Sequence, residues 1–163
     1  MVSMKYLIAL LAVAGLVVSA LALRVHYMDP TAAPPCTVTE QFDCGAVNHS
    51  RFSVFPPRTF DEDPNSKRLH IPVAAVGIVG YALIAIFALL GRLRIVLEFA
   101  RVGFLCAAFL TYLEAYVIEK WCIYCVWSQI IIAAIVVANV VALFLRRRAY
   151  AKSIRNTLAS QVD

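Results

Sequence analysis

Charged side chains are scarce in this chain of 163 residues: only 15% are Asp, Glu, Lys or Arg, against 62% hydrophobic, and the mean hydropathy is +0.79. That shortage excludes an ordinary soluble domain, in which about 25% of residues are charged. Internal repeats and low-complexity segments are also missing, so the chain is not a repeat array. Acidic residues are few, 10 against 15 basic ones, which leaves a net charge of +5. Eight of the basic residues, Lys5, Arg92, Arg94, Arg146, Arg147, Arg148, Lys152 and Arg155, fall on what would be one side of a membrane. The excess therefore reads as an orientation signal, with anionic lipid as a secondary contact, and no nucleic-acid partner is expected.

What the chain does have is four apolar runs, over 7–23, 71–91, 102–113 with apolar flanks, and 121–145. A bilayer crossing takes about 20 helical residues, and backbone in lipid must satisfy its own hydrogen bonds. The expected fold is therefore an all-α integral membrane protein, a bundle of four transmembrane helices at about 5–26, 71–91, 95–118 and 121–145. The third run qualifies if Glu98 and Arg101 sit near its inner end, where they would pair three residues apart. Residues 27–70 form a long extracytoplasmic first loop that is mildly acidic, and 151–163 form a basic cytoplasmic tail. The positive-inside rule places both termini in the cytoplasm. The first run resembles a signal peptide in having Lys5 before it and Ala20-Leu21-Ala22, which could pass for a cleavage site, near its end, but its seventeen apolar residues favour retention. Pro30, Pro34, Pro35, Pro56, Pro57 and Pro64 predict turns and short helical pieces in the loop. Gly77, Gly80, Ala107 and Ala108 are expected to let helices approach closely.

The cysteines carry the chemical information. Cys36 and Cys44 lie in the external loop, and Cys122-Ile123-Tyr124-Cys125 opens the last helix on the same side. That side is oxidising in bacteria and in the secretory pathway. A cysteine at a helix N-terminus faces unpaired amides and the positive end of the dipole, which favour the thiolate and make it a better exchange group. Cys122 and Cys125 are therefore read as a reactive pair, placed where a membrane-dissolved quinone could reach them. Zinc held by the four cysteines is disfavoured because thiols outside the cytoplasm oxidise first, and no metal is expected. A structural disulfide framework stays open, although a bridge between Cys122 and Cys125 would close a very small loop and add little stability. Cys106, inside the third helix, is expected to be a small buried hydrophobe.

In this order the residues resemble the vitamin K epoxide reductase family. Cys36 and Cys44 match its spaced loop pair; Cys44-Gly45-Ala46-Val47, then Ser50 and Val54-Phe55, is similar to the loop motif of its bacterial members. Tyr112-Leu113-Glu114 leading into Trp121 and the Cys-x-x-Cys is similar to its third-to-fourth helix segment. The resemblance runs to about Arg148. In the disulfide bond formation protein B family, the other quinone-linked four-helix type, the two cysteine pairs occur in the reverse order.

The resemblance implies that Cys36 exchanges disulfides with a thioredoxin-like protein and that Cys44 relays electrons to Cys122 through a transient bond. Cys125 would then reduce the quinone, each step being thiol–disulfide exchange of an ordinary kind up to that point. Ser50 stands where the family has a loop hydroxyl and would steady a cysteine or a quinone oxygen. Phe52 and Phe55 would face lipid or quinone. Glu114, an ionisable group within a helix, is a functional candidate for proton supply, although an interfacial glutamate near water is the plainer reading. Asn48-His49-Ser50 fits a glycosylation sequon, which means nothing in a bacterial protein. The vertebrate-type asparagine and tyrosine that contact quinone oxygens are matched here by Val73 and Gln129, which favours a plain quinone over epoxide chemistry. Residues 56–70 look like an insertion, capping the quinone pocket or contacting the partner.

The expected protein is thus a membrane thiol:quinone oxidoreductase of a bacterial inner membrane. It would oxidise a separate thioredoxin-like protein and pass electrons to ubiquinone or menaquinone. Reduction of vitamin K quinone or epoxide in an endoplasmic reticulum membrane, and a non-catalytic stapled scaffold, are the alternatives. The scaffold requires two permanent bonds, whereas the enzyme requires cysteines that change partner.

Overall fold

The computed structural model describes residues 2–29, 36, 38–59 and 69–159. Long apolar runs free of interior proline become four long helices: α1 (Val2–His26), α3 (Val73–Leu89), α4 (Leu93–Leu113) and α5 (Ile123–Ala159). A short helix, α2 (Cys44–Asn48), lies between α1 and α3 in sequence. α1 packs on both α3 and α5, and α4 packs on α5 and α3, closing a four-helix bundle. Its core is aliphatic, built from Ile8, Ala12, Ile84, Ala88, Val96, Ala100, Ile132 and Ile135. Small residues at Ala12, Ala88 and Ala100 bring the backbones close enough for dispersion contacts to hold the bundle.

Met4–His26 and Ile123–Arg155 are each long and apolar enough to cross a membrane, whereas Val73–Leu89 has 17 residues. α4 carries Arg94, Glu98 and Arg101 in its first half. Arg101 and Glu98 pair at 3.4 Å on the exposed surface, as their spacing suggests. Hydropathy stops at Leu145, but the helix does not: α5 continues through the basic segment to Ala159. Residues 146–159 hold no Gly or Pro and are mostly good helix formers, so nothing breaks the backbone ladder. The basic residues after Leu145 therefore continue the helix as far as Ala159, past the expected end at residue 145.

Close approach is also distributed differently from expectation. A Cβ at Gly77 would stand 2.9 Å from Ser19 Oγ of α1, so Gly77 serves as a contact, whereas Gly80 has open space beside it. The tightest site is Gly15 in α1, where any Cβ would overlap the Tyr81 ring. α3 and α4 are joined by a turn in which Gly91 takes φ of 72°, a conformation open to glycine without a side-chain penalty.

The described part of the segment between α1 and α3 is short elements in series: α2, a 3₁₀ turn (Arg51–Ser53), and strands β1 (Val54–Phe55) and β2 (Ile71–Pro72), which pair antiparallel. The strand pair adds regular structure to a loop expected to hold turns and helical pieces. It returns the chain to the start of α3. Of the supposed insertion, residues 60–68 lie outside the described residues, as do Pro30, Pro34, Pro35 and Pro64.

Candidate functional site

Two distant pieces of chain are brought together by main-chain pairing. Trp121 N–H donates to Gln41 O at 2.8 Å and Asp43 N–H donates to Trp121 O at 3.1 Å, forming a parallel bridge between Phe42 and Trp121. Lys120 Nζ adds a bond to Glu40 O. Cys44 lies two residues beyond the bridge on one side, and Cys122 lies next to it on the other. Both are fully buried and share one apolar cluster with Cys36, Val25 and Val47. Asp43, in extended conformation, accepts a hydrogen bond from Ala46 N–H at 3.0 Å and so caps α2, starting the helix at Cys44.

Cys36 and Cys44 are joined by a disulfide, their Cα atoms 5.9 Å apart, while Cys122 and Cys125 are free thiols. The Cys122 carbonyl accepts from Val126 N–H at 3.0 Å, which places Cys122 in the capping position of α5, with its sulfur at the positive end of the helix. Cys125 lies one turn into the helix. The oxidised pair and the reduced pair are thus separate covalently but joined in one cluster.

Asn48 connects them. It is buried at the end of α2, and its Nδ2 donates to Cys44 O at 2.9 Å and to Cys122 Sγ at 3.5 Å. Two histidines brace the same segment: His26 Nδ1 meets Asn48 O at 2.7 Å, and His49 bridges Gly45 O at 2.9 Å and Met28 O at 3.1 Å. The sequon reading concealed Asn48; its place four residues after Cys44, one helical turn on, was the available signal.

Glu114 is not an interfacial group near water. It is 2% exposed, begins a π-helical turn (Glu114–Ile118) that ends α4, and its Oε2 accepts from Cys122 N–H at 3.2 Å. Turns of this wide kind recur at functional sites. Glu119, with φ of 56°, then reverses the chain toward Trp121.

Below the cysteines lies a cavity of about 620 Å³, lined almost wholly by apolar side chains. Its polar groups include Asn48, Ser50, Ser53, Glu114 and Cys125 near the loop, Ser19 of α1, Tyr81 of α3, and Ser128 one turn beyond Cys125 on α5. Tyr81 O–H donates to Ser128 O at 2.9 Å and shares a bond of 2.9 Å with Ser128 Oγ. Val76, Val79, Val102 and Cys106 line the cavity and are exposed on the outside of the bundle, so it opens sideways between α3 and α4.

Most of the expected site residues converge here. Ser50 lines the cavity with its hydroxyl buried and without a hydrogen-bond partner among the described residues, and Phe52 and Val73 lie on the wall. Phe55 does not: it sits on β1, 68% exposed, because alternation along a strand turns it away from buried Val54. Gln129 is also off the lining. It follows Ser128, and the 100° step of a helix carries it past the cavity face. Cys106 is exposed on the cavity rim and is not a buried hydrophobe. Sequence reasoning missed Asn48, Tyr81, Ser128 and Gly15. For Tyr81 and Ser128 the mark was a hydroxyl isolated in an apolar run.

A membrane-type helical bundle that buries a disulfide against a helix-capping thiol, above an apolar cavity, defines a membrane-integral dithiol–disulfide redox protein. The chain belongs to the vitamin K epoxide reductase family, whose model matches residues 6–140. Comparison with curated proteins gives no match. Membership makes it a membrane-integral oxidoreductase of the disulfide and quinone type.

Proposed function

We propose that this protein is a thiol:quinone oxidoreductase that draws electrons from a thioredoxin-like protein and delivers them to a quinone held in the cavity. The observation that carries the reading is the burial of Cys36, Cys44 and Cys122 in one cluster with Cys125 packed against it and on the cavity wall. The partner's thiol attacks Cys36, releasing Cys44. Cys44 attacks a Cys122–Cys125 disulfide at Cys122, and the freed Cys125 faces the quinone ring. Each exchange conserves one disulfide and moves it inward or outward by one pair. The apolar lining and sideways opening suit a ring with a lipid-soluble tail entering from the bilayer, and the orphaned Ser50 hydroxyl supplies a donor for one ring oxygen. Ubiquinone or menaquinone is the expected substrate, since Val73 is apolar and Gln129 lies off the cavity lining, so neither stands in for the polar groups of vertebrate-type sites.

All four long helices span the membrane in this reading, with Glu98 and Arg101 at the inner end of α4. The basic end of α5 is cytoplasmic and the cysteines lie outside, in a bacterial inner membrane. The test is quinone reduction by the purified protein supplied with either a reduced thioredoxin-like protein or dithiothreitol. Turnover with both donors supports the proposal. No turnover with any quinone, together with thiol pairing that reductant leaves unchanged, would establish a stapled scaffold instead.

A further inference from the structure

The carboxyl of Glu114 is only half satisfied at the edge of the site. It is 98% buried, yet only one of its oxygens is used: Oε2 holds the Cys122 amide at 3.2 Å, whereas Oε1 has no hydrogen-bond partner among the described residues. The residue lines the same cavity as Cys125, and the Cys125 thiol lies within interaction range of the carboxyl. An unpaired carboxyl oxygen in a dry interior carries a desolvation cost, and a glutamine would satisfy the Cys122 amide equally well through its carbonyl. What glutamine cannot do is exchange a proton. The titratable groups that face Glu114 are Cys122 and Cys125; from α2, packed alongside, come disulfide-bonded Cys44 and uncharged Asn48.

We propose that Glu114 is the proton carrier between the Cys122–Cys125 dithiol and the quinone, an assignment that rests on the thiol:quinone reading above. In the step concerned, two S–H bonds break and one S–S bond forms between Cys122 and Cys125, releasing two electrons and two protons. The quinone takes up two electrons and two protons and becomes a hydroquinone. Oε1 receives the Cys125 proton as its sulfur gives up electrons and passes it to the nearer quinone oxygen, so the carboxylate ends as it began. The second thiol proton leaves to external water, and the same water supplies the second ring oxygen. Meanwhile Oε2 keeps the Cys122 amide, and with it the start of α5, in place through both redox states.

The test uses the full-length protein in lipid nanodiscs with dithiothreitol as donor and a short-chain ubiquinone as acceptor, comparing wild type, Glu114→Gln and Glu114→Asp. Positioned proton transfer contributes about 100-fold or more to rate. Glu114→Gln is therefore expected to lose about 100-fold in kcat, with KM for quinone within threefold and the Cys36–Cys44 bond exchanging with dithiothreitol at the wild-type rate. Glu114→Asp is expected to recover part of kcat, with its own displaced pH profile. A Glu114→Gln enzyme within threefold of wild type, with the same pH profile, would overturn the assignment. If Glu114→Gln does not fold, Glu114→Asp decides: a displaced profile supports the carrier and an unchanged one overturns it. A wild-type protein that reduces no quinone would instead defeat the parent reading, so the two failures are distinguishable.

Discussion

The two cysteine pairs occupy opposite mechanical settings. Cys36 and Cys44 sit in a loop made of a five-residue helix and two-residue strands, tied to the bundle by a few main-chain bonds around Trp121 and by His26 and His49. Cys122 and Cys125 sit at the head of a 37-residue helix packed against α1 and α4. A closed loop of this size gains about 2.5 kcal/mol from its disulfide, which is enough to order a loop and small enough to surrender during exchange. The helix start needs no such bond. In the proposed relay, one pair moves to a partner while the other stays beside the cavity, which divides the labour between protein substrate and membrane substrate.

The largest effect that would sharpen this division comes from Cys125→Ala, which is expected to lower quinone reduction about a thousandfold or more with either donor, as removal of a reacting nucleophile does. Cys36→Ala is expected to lose turnover with the protein donor and keep most of it with dithiothreitol, which reaches the inner pair without the loop. Steady-state assays with both donors check the pair of variants, and equal losses under both donors would break the contrast. Next is Asn48→Ala, which removes the amide joining Cys44 O to Cys122 Sγ. A drop of about 1–3 kcal/mol in stability is expected by denaturant titration, with slower transfer between the pairs in stopped flow. Gly15→Ala should cost about 1–3 kcal/mol by forcing the Tyr81 ring aside, and should raise KM for quinone without changing disulfide exchange. Smallest is the contrast between the two loop phenylalanines: Phe52→Ala should raise KM severalfold and Phe55→Ala should leave it within a factor of two, because only Phe52 lines the cavity.

Much of the bundle was legible in the chain because a bilayer converts hydropathy directly into helices, and the four cysteines stood out because of their order and spacing. The inward and outward faces were not. Lipid is as apolar as a helix interface, so no alternation distinguished exposed Cys106 from buried Ala100 on α4. The end of α5 was misjudged because hydropathy marks where lipid stops and not where the backbone ladder stops. Glu114 was singled out but given the wrong surroundings, since its burial depends on the wide turn after Leu113 and on contact with Cys122 eight residues later. Asn48 and the Tyr81–Ser128 pair depend on tertiary neighbours that no local pattern encodes.

The claim on which everything turns is that electrons pass between the two pairs through Cys44 and Cys122. The most direct measurement is disulfide mapping by mass spectrometry of the Cys36→Ala/Cys125→Ala double variant in membranes, after brief treatment with a mild thiol oxidant. The expected result is an intramolecular Cys44–Cys122 bond in most chains, with Cys106 still a free thiol. Cys44 and Cys122 remaining thiols, or linking only between chains, would contradict the relay.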